Sequence, residues 1–490
     1  METIVVVTHT KDWPLNVPGV CVVDARTYLT NAQFIALRRA KVYNLCRQYR
    51  YQSLGYYVSL LAEARGHKPI PSVMTLQDLR TPTIARTISD EIEAMMRRSL
   101  ESIRTSPFVL SIYFGKNLAQ RHARLANAFF RLFPAPLLRA TFVRHEKWEL
   151  QSLSAFPASD IPDDHYDFVI TAAKDYFRRQ IRPVKRMIPP RFDLAILWSA
   201  DDLTAPSGKQ TIDHFIHAAE KMAMSAEIIG QDDYGRLAEF DGLFIRTTTA
   251  VNHYTYRFSR RAAADGIVVI DDPVSILRCT NKVYLAELFE RKGIPQPKTW
   301  IIHKDNYREP IFGLSFPCII KKPDSSSSLG VFKAEDLESL HGIAQQMFTN
   351  SELLIVQEYM PTEFDWRIGV LDRRPFFAAK YFMAPRHWQI INNNKKTFSQ
   401  RYGDSIIIPV EEVPSTGLKC ALRVAELIGD GLYGVDLKQM GKKWYVIEIN
   451  DNPNIDHGVE NRHLGDEIYR RMMGVFIRRI EAKKNGILVS

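Results

Sequence analysis

Glu448 and Asn450 lie two apart in the run Trp444-Tyr445-Val446-Ile447-Glu448-Ile449-Asn450, so on a β-strand both side chains project from one face. Tyr433-Gly434-Val435-Asp436 precedes this run across Gly441, and the two read as a hairpin. Antiparallel pairing about Lys442 sets Asp436 opposite Glu448 on that face. Two carboxylates and an amide oxygen are hard ligands suited to Mg²⁺, with phosphate completing the shell. One such acid alone reads as a solvent-facing strand residue. Two acids converging between Val435, Leu437, Ile447 and Ile449 do not.

Upstream residues have the chemistry to hold that phosphate. Lys282 opens a helix, and Phe316-Pro317-Cys318-Ile319-Ile320-Lys321-Lys322 is a strand ending in lysines. Alternation sends Lys321 and Lys322 to opposite faces, so one of them reaches a nucleotide. The loop Asp324-Ser325-Ser326-Ser327-Ser328-Leu329-Gly330-Val331 follows, and small residues let backbone N–H groups close over phosphate oxygens. Leu354-Ile355-Val356-Gln357-Glu358-Tyr359 ends a strand, and Asp365-Trp366-Arg367 begins the next. A hinge between strands exposes backbone donors and acceptors to a purine edge, and a nearby carboxylate can hold ribose hydroxyls.

The elements that position these groups alternate in type. Phe192–Trp198, Ala226–Ile229, Phe240–Arg246 and Ile267–Ile270 read as strands, with helices over Thr211–Ser225 and Asn252–Asp265. That alternation predicts a small parallel α/β domain. Asp272 and Pro273 supply an N-cap and a first-turn proline. The helix Asn281–Lys292 stops at Gly293, and paired strands with helices over Ser415–Leu427 and Leu464–Glu481 give an α+β remainder. No internal repeat and no long low-complexity tract is read from the chain.

Residues 1–187 mix strands (Val20–Val23, Phe108–Phe114, Leu137–Val143) with helices. Val42, Leu45, Cys46 and Tyr49 recur at helical spacing, as do Leu54, Tyr57, Val58 and Leu61. Arg38, Arg39, Lys41, Arg47, Arg50, Tyr51 and Tyr56 interleave charge with aromatic rings, a pattern that can stack on RNA. An amphipathic helix with solvated arginines gives the same pattern and is preferred. The basic stretch Lys174–Arg191 reads as an anion patch or, preferably, as a solvated helix end and linker running into Pro189-Pro190.

The chain has 490 residues, 46% hydrophobic and 24% charged, the balance of a globular protein of about three domains. Disordered, collagen-like and disulfide-scaffold classes are excluded. No apolar run is long enough to span a membrane, and Met1–Val7 reads as a first strand rather than a leader. Five widely spaced cysteines without a Cys-x-x-Cys pair point to a reducing cytoplasm. Lysine and arginine number 65 against 55 acids, and a net charge of +10 suits anionic partners or simply solubility.

Taken together, Lys282 with Gly293-Ile294-Pro295-Gln296-Pro297, the Ile-Ile-Lys strand and loop, Gln357-Glu358-Tyr359, Asp365-Trp366-Arg367, Gly434-Val435-Asp436 and Glu448-Ile449-Asn450 resemble the ATP-grasp ligases of the RimK type. The resemblance spans about residues 191–480. Residues 41–73 are similar to the N-terminal domain fused to some RimK-like proteins. It implies an N-terminal accessory α/β domain over 1–187, a small parallel pre-ATP-grasp domain over 188–280 and a two-subdomain ATP-grasp fold over 281–490.

The resemblance further implies that Lys282 and Lys321 hold ATP phosphates, Lys321 also lying near the adenine. Gln357, Glu358 and Tyr359 would line the adenine hinge, Asp365 would hold the ribose, and Asp436, Glu448 and Asn450 would bind two Mg²⁺ (or Mn²⁺). Arg386-His387-Trp388 with Asn392 resembles a segment of related amino-acid ligases, making Asn392 a nucleotide or metal contact. Arg386 and Arg367 are the catalytic candidates, Arg386 as an anion clamp. Four serines stand where the family's phosphate loop is usually glycine-rich, and Asn393-Asn394-Lys395-Lys396 replaces a Gly-Gly element.

The expected activity is ATP-dependent carboxylate–amine ligation through an acylphosphate. It adds an amino acid such as glutamate to a peptide, protein tail or small carboxylate. The partners are then amino-acid and carboxylate substrates, with a homo-oligomer allowed, no membrane, and nucleic acid disfavoured. An ATP-grasp phosphotransferase and a ribosome- or RNA-binding protein are the alternatives. The N-terminal region is expected to select or position the acceptor, or mediate assembly, without bond chemistry.

Overall fold

The computed structural model describes residues 2–13, 17, 19–37, 39–80, 90–180, 190–324, 330–391 and 403–485. The chain forms two compact units, Met1–Pro190 with Asp232–Phe240, and Arg191–Gln231 with Asp241–Ser490.

In the first unit, β1 (Glu2–Val7), β2 (Val20–Asp24), β3 (Ala40–Asn44) and β4 (Lys68–Ile70) make a parallel sheet in the order β2-β1-β3-β4. Ala40–Asn44 corrects the helical reading of Val42–Tyr49. β3 is a central parallel strand whose Val42 sits between Ile4 and Pro69, buried on both faces, and a short all-apolar run shows no period that separates strand from helix. An antiparallel sheet of β5 (Phe108–Tyr113), β6 (Leu137–Arg144) and β7 (Trp148–Ala155) packs against helices Asp90–Leu100 and Ala123–Leu132. Glu239, from the outlying segment of this unit, is fully buried, and accepts from Lys41 Nζ at 2.6 Å and Tyr176 Oη at 2.8 Å. The basic stretch begins on the helix Tyr166–Gln180, and its residues 181–189 lie outside the described residues.

The second unit opens with a parallel sheet of β8 (Phe192–Leu197), β9 (Met224–Ile229), β10 (Gly242–Ile245) and β11 (Val268–Ile270), in the order β11-β10-β8-β9. Tyr469, Met472, Met473 and Phe476 of the helix Glu467–Lys484 cover it. Two antiparallel sheets follow. One contains β12 (Thr299–His303), β13 (Cys318–Lys321), β14 (Val331–Ala334) and β15 (Leu353–Glu358), backed by the helix Leu337–Met347. The other holds β16 (Phe364–Leu371), β17 (Arg374–Phe382), β18 (Ser405–Ile408), β19 (Leu432–Met440) and β20 (Lys443–Asp451), in the order β18-β17-β16-β19-β20. Trp366, Ile368, Val435, Leu437 and Ile449 form its apolar face against the helix Ser415–Ile428. This is a mixed α/β and α+β multidomain chain. Helix ends differ from expectation by a few residues, as at Lys209–Lys221, where the strand β9 takes over from Met224.

The two parallel sheets share one order, β2-β1-β3-β4 in the first unit and β9-β8-β10-β11 in the second. The likeness extends to single bonds. Tyr43 pairs with Ile70 as Phe244 pairs with Ile270. Helices Leu54–Ala64 and Tyr254–Ala264 each end in a left-handed glycine, Gly66 (φ +71°) and Gly266 (φ +72°), a conformation that a Cβ disfavours. Ser59 Oγ donates to the Pro71 carbonyl, and Ser259 Oγ to that of Asp271, each at 2.7 Å. The expectation of no internal repeat is therefore corrected. Only Tyr56/Tyr256, Ser59/Ser259, Ala62/Ala262, Ala64/Ala264, Gly66/Gly266 and Ile70/Ile270 coincide across this stretch. What the copies share is burial and turn geometry, which interchangeable core residues such as Val58 and Phe258 satisfy equally.

Removing either buried serine hydroxyl strands a buried carbonyl. Ser59→Ala and Ser259→Ala should each lower the stability of their own unit by about 1–3 kcal/mol. Calorimetric unfolding of the two variants checks this, and no measurable loss in either would refute a shared bonding scheme.

Candidate active site

A single sheet face of the second unit carries the charge. Register sets Arg367 of β16 opposite Asp436 of β19, and Asp436 opposite Glu448 of β20, so three charged residues form one row across three strands. The hairpin keeps that row only through a bulge. Near its turn Met440 faces Lys443 and Leu437 faces Val446, and the irregularity after Asp436 shifts the register so that Glu448 faces Asp436. Simple pairing about Lys442 reaches the same Asp436–Glu448 pair. Asn450 lies opposite Gly434, with its Nδ2 3.4 Å from Asp436 Oδ2. Alternation adds Asp365 and Lys438 to the same face.

Each carboxylate of the row has a cation. Arg367 grips Asp436 in bidentate fashion, Nε to Oδ1 at 2.7 Å and Nη2 to Oδ2 at 2.8 Å. Burial opposes both charges. For Arg367 the pairing with Asp436 outweighs burial and holds the guanidinium protonated, while burial pushes the Asp436 carboxyl up against the pull of Arg367. Lys282 Nζ lies 3.0 Å from Glu448 Oε1. Lys438 Nζ reaches Asp365 Oδ1 and Thr362 Oγ1, both at 2.6 Å, and Thr362 Oγ1 also donates to Asp365 Oδ1. Tyr381, opposite Asp365 on β17, donates to Glu460 at 2.7 Å and places its ring 5.3 Å from the Arg367 guanidinium.

The second group comes from the other antiparallel sheet. Lys321 ends β13 nearly buried, and its Nζ donates to Gln357 Oε1 of β15 at 2.7 Å; Gln357 Nε2 donates on to Thr299 Oγ1 at 3.0 Å. Lys322 leaves the strand, its backbone N–H donating to the Gly330 carbonyl. Burial pushes the Lys321 ammonium down to about 8, Lys282 and Lys438 adding to the fall and Glu448 opposing it. Lys282 begins the helix Lys282–Lys292, where Asn281 Oδ1 caps Tyr284 N and the Lys282 N–H donates to the Pro323 carbonyl. Lys282, Lys321, Gln357 and Ile447 help line a cavity of only about 20 Å³, so a purine base entering there must part these side chains.

The remaining candidates lie further out. The Glu358 N–H donates to the Lys298 carbonyl and its carboxylate accepts from Lys298 N at 3.3 Å. Tyr359 meets the Trp388 ring edge-on at 6.0 Å, with Lys333 Nζ 5.2 Å from its own ring centre. Arg386 is exposed in a turn at φ +56°, and among the described residues no ion pair joins it to the row. Asn392, Asn393-Asn394-Lys395-Lys396 and the loop residues Ser325–Leu329 lie outside the described residues.

Sequence reasoning passed over Lys438, Tyr381, Glu460 and Arg246. Lys438 was within reach, since it lies two residues from Asp436 on the same strand face. Arg246 was not. Fully buried at the end of β10, it donates to Asn452 Oδ1 (2.7 Å), the carbonyls of Pro206 (2.7 Å) and Pro453 (3.0 Å), and Ser207 Oγ, fixing the loop that follows Asn450. Asn452 Nδ2 returns a bond to the Thr247 carbonyl at 2.8 Å.

Asp436, Glu448 and Asn450 offer only oxygen donors toward a cation, a set that fits a hard ion such as Mg²⁺. Among the described residues no group of three or more His, Cys, Asp and Glu side chains gathers as for a metal. Two carboxylates and an amide oxygen are fewer donors than a six-coordinate ion takes, so Mg²⁺ held there would need phosphate or water to complete its shell.

A charged row on a sheet face, met by Lys321 from a second antiparallel sheet and by Lys282 from a helix start, fits an ATP-grasp fold. Residues 279–375 match the RimK-like ATP-grasp domain, and residues 25–172 match the RimK-like ATP-grasp N-terminal domain. The chain carries both RimK-like ATP-grasp domains, and by class it is an ATP-dependent carboxylate–amine ligase. The matched stretch includes Lys282, Lys321, Gln357, Glu358, Tyr359, Asp365 and Arg367 and ends before Asp436. A probable alpha-L-glutamate ligase of Ectopseudomonas mendocina is 25% identical over 46% of this chain and 73% of its own length. One from Syntrophotalea carbinolica is 24% identical over 48% and 76%. Among solved structures, a RimK domain ATP-grasp protein from Sphaerobacter thermophilus is 16% identical over 58% of this chain and 98% of its own, with a TM-score of 0.43.

The Lys321 ammonium should titrate near 8, well below an ordinary lysine at about 10.4. Between those two values the unfolded chain holds a proton that the folded chain has released, so this group makes stability rise with pH across that window. Carbon-13 NMR of lysine side chains tests it: a resonance with a midpoint near 8 should vanish in Lys321→Met, and ordinary titration of every lysine would refute the assignment.

Proposed function

We propose that this enzyme joins an amino acid such as glutamate to a peptide, protein tail or small carboxylate. The observation that carries this reading is the row Arg367–Asp436–Glu448 with Lys282 at its end and Lys321 on the facing sheet. In this reading Lys282 and Lys321 hold the ATP phosphates, Gln357, Glu358 and Tyr359 line the adenine, and Asp365 takes the ribose. Asp436, Glu448 and Asn450 hold two Mg²⁺ (Mn²⁺ can replace them), with Asn392 as a further contact. Bound there, the ions neutralise the charge of the transferring phosphoryl group.

A substrate carboxylate oxygen attacks the γ-phosphorus, the bond to the β-phosphate oxygen breaks, and ADP leaves an acylphosphate. The amine nitrogen then attacks the acyl carbon, inorganic phosphate departs, and the nitrogen loses a proton to give the amide. Catalysis is positioning and electrostatic stabilisation, with no protein nucleophile. Arg367 acts chiefly by fixing Asp436, and the exposed Arg386 clamps the substrate anion. The spans 1–187, 188–280 and 281–490 serve as accessory, pre-ATP-grasp and ATP-grasp domains. The names of the relatives support glutamate as a substrate. All five cysteines are free, which supports a cytoplasmic setting, and among the described residues no helix is long and apolar enough to cross a membrane.

Incubation with ATP, Mg²⁺ and pooled amino acids, with mass spectrometry of products, should show ADP and a glutamyl amide. Hydroxylamine should trap a hydroxamate; ADP formed without any hydroxamate or amide would point to phosphoryl transfer to another acceptor. Glu448→Gln should reduce turnover by about a hundredfold or more, as expected for the loss of a group acting on transition-state charge. Near-normal turnover at limiting Mg²⁺ would remove Glu448 from the metal site.

Lys321→Met should weaken ATP binding by about tenfold or more, the scale of one buried charge-assisted contact. Lys322→Met should change it little. Calorimetric titration with a non-hydrolysable ATP analogue checks both, and equal losses or the reverse order would refute the register.

A further inference from the structure

Open parallel sheets bind ligands at the carboxyl ends of their strands, where loops and helix starts converge. The second unit uses that end of its parallel sheet for structure: Arg246 and Thr247, just past β10, hold Asn452 and Pro453. The first unit repeats the sheet, but Leu45 and Cys46 stand at the corresponding positions past β3, with no guanidinium to clamp a covering loop. At that end lies a cavity of about 420 Å³, within the range of ligand sites.

The lining of this cavity has two parts. Leu76, Leu79, Ala155 and Pro157 give apolar surface, and Arg47, Arg50 and Arg80 bring guanidinium groups. Arg47 is already neutralised, held by Asp12 through Nε at 2.9 Å and Nη2 at 2.7 Å. Arg50 and Arg80 are exposed, and their side chains make no ion pair among the described residues. The Tyr49 hydroxyl donates to the Asn44 carbonyl at 2.9 Å, anchoring the loop that carries Arg47 and Arg50 to the end of β3. Two guanidinium forks beside an apolar floor suit a carboxylate carried on a short hydrocarbon stem, because the fork takes the carboxylate in bidentate fashion while the floor takes the methylenes. A glutamyl side chain has that form.

We propose that this cavity of the first unit binds glutamyl carboxylates of an acidic peptide acceptor, at a site separate from the ATP-binding row. The proposal deepens the glutamate reading above and rests on it. The accessory unit then retains an acceptor that becomes more acidic with each residue added.

A fluorescein-labelled tetraglutamate peptide and the full-length chain test this, with Glu448→Gln present so that binding is read without turnover. The peptide should bind, and a tetraglutamine peptide should not compete. Adding Arg50→Ala and Arg80→Ala, both at exposed positions, should weaken binding by about tenfold or more, as expected for two charge-assisted contacts. A loss smaller than about fivefold, or no binding by the parent protein, would overturn the site. So would displacement of the peptide by a single-stranded RNA oligonucleotide at lower concentration than unlabelled peptide, which would make the cavity a phosphate site. Failure here leaves amide formation by the wild-type enzyme intact, whereas failure of the glutamate reading shows as a missing glutamyl product.

Discussion

Carboxylates taken out of water must find cations, and the second unit is organised around that requirement. Asp436 with Arg367, Glu448 with Lys282 from a helix start, and Asp365 with Lys438 are three pairs that neutralise the carboxylates of one partly buried sheet face. Removing one member of such a pair strands the other at a cost of about 3–5 kcal/mol. If the proposed roles hold, stability and chemistry draw on the same groups. Lys282 and Glu448 are matched to each other as they stand; in the proposed reading each would trade that partner for one half of a magnesium–phosphate pair. Exchange of one partner for the other keeps every charge compensated.

Holding these groups in place falls to the backbone. Register across β16, β19 and β20 aligns the row, and the bulge after Asp436 sets its final position. The opposite face of the same strands is the apolar core beneath the helix Ser415–Ile428, so a slip by one residue would bury the acids and expose Val435, Leu437 and Ile449. Behind the row, the buried Arg246 ties the Asn452–Pro453 loop to Pro206 and Ser207. Burial lowers the Arg246 guanidinium to about 10, still far above neutral pH, so the clamp keeps its charge.

Two copies of one parallel α/β arrangement serve different ends. In the second unit Arg246 and Thr247, at the carboxyl end of the sheet, hold the Asn452–Pro453 loop. In the first the same sheet carries Leu45 in place of that arginine, and an arginine-rimmed cavity takes up the end. Turn glycines and buried serine hydroxyls are retained in both because they build the scaffold, while the residues at the strand ends have diverged because they decide what the scaffold meets.

Much of the second unit was legible from residue order alone. Alternation along β19 and β20 placed Asp436, Glu448 and Asn450 on one face, and caps at Asp272 and Gly293 marked helix boundaries, because these depend on bonds between residues close in the chain. The strand at Ala40–Asn44 was misread as helix, since its apolar residues answer to neighbours on both sides of a sheet and carry no period of their own. The repeat was missed for a related reason: burial and turn shape persisted while side chains changed. Sequence by itself determined which groups could carry the chemistry and which strand faces they occupy. Tertiary structure alone decided their partners, Arg367 for Asp436, Lys282 for Glu448 and Gln357 for Lys321, because those contacts join strands and helices far apart in the chain.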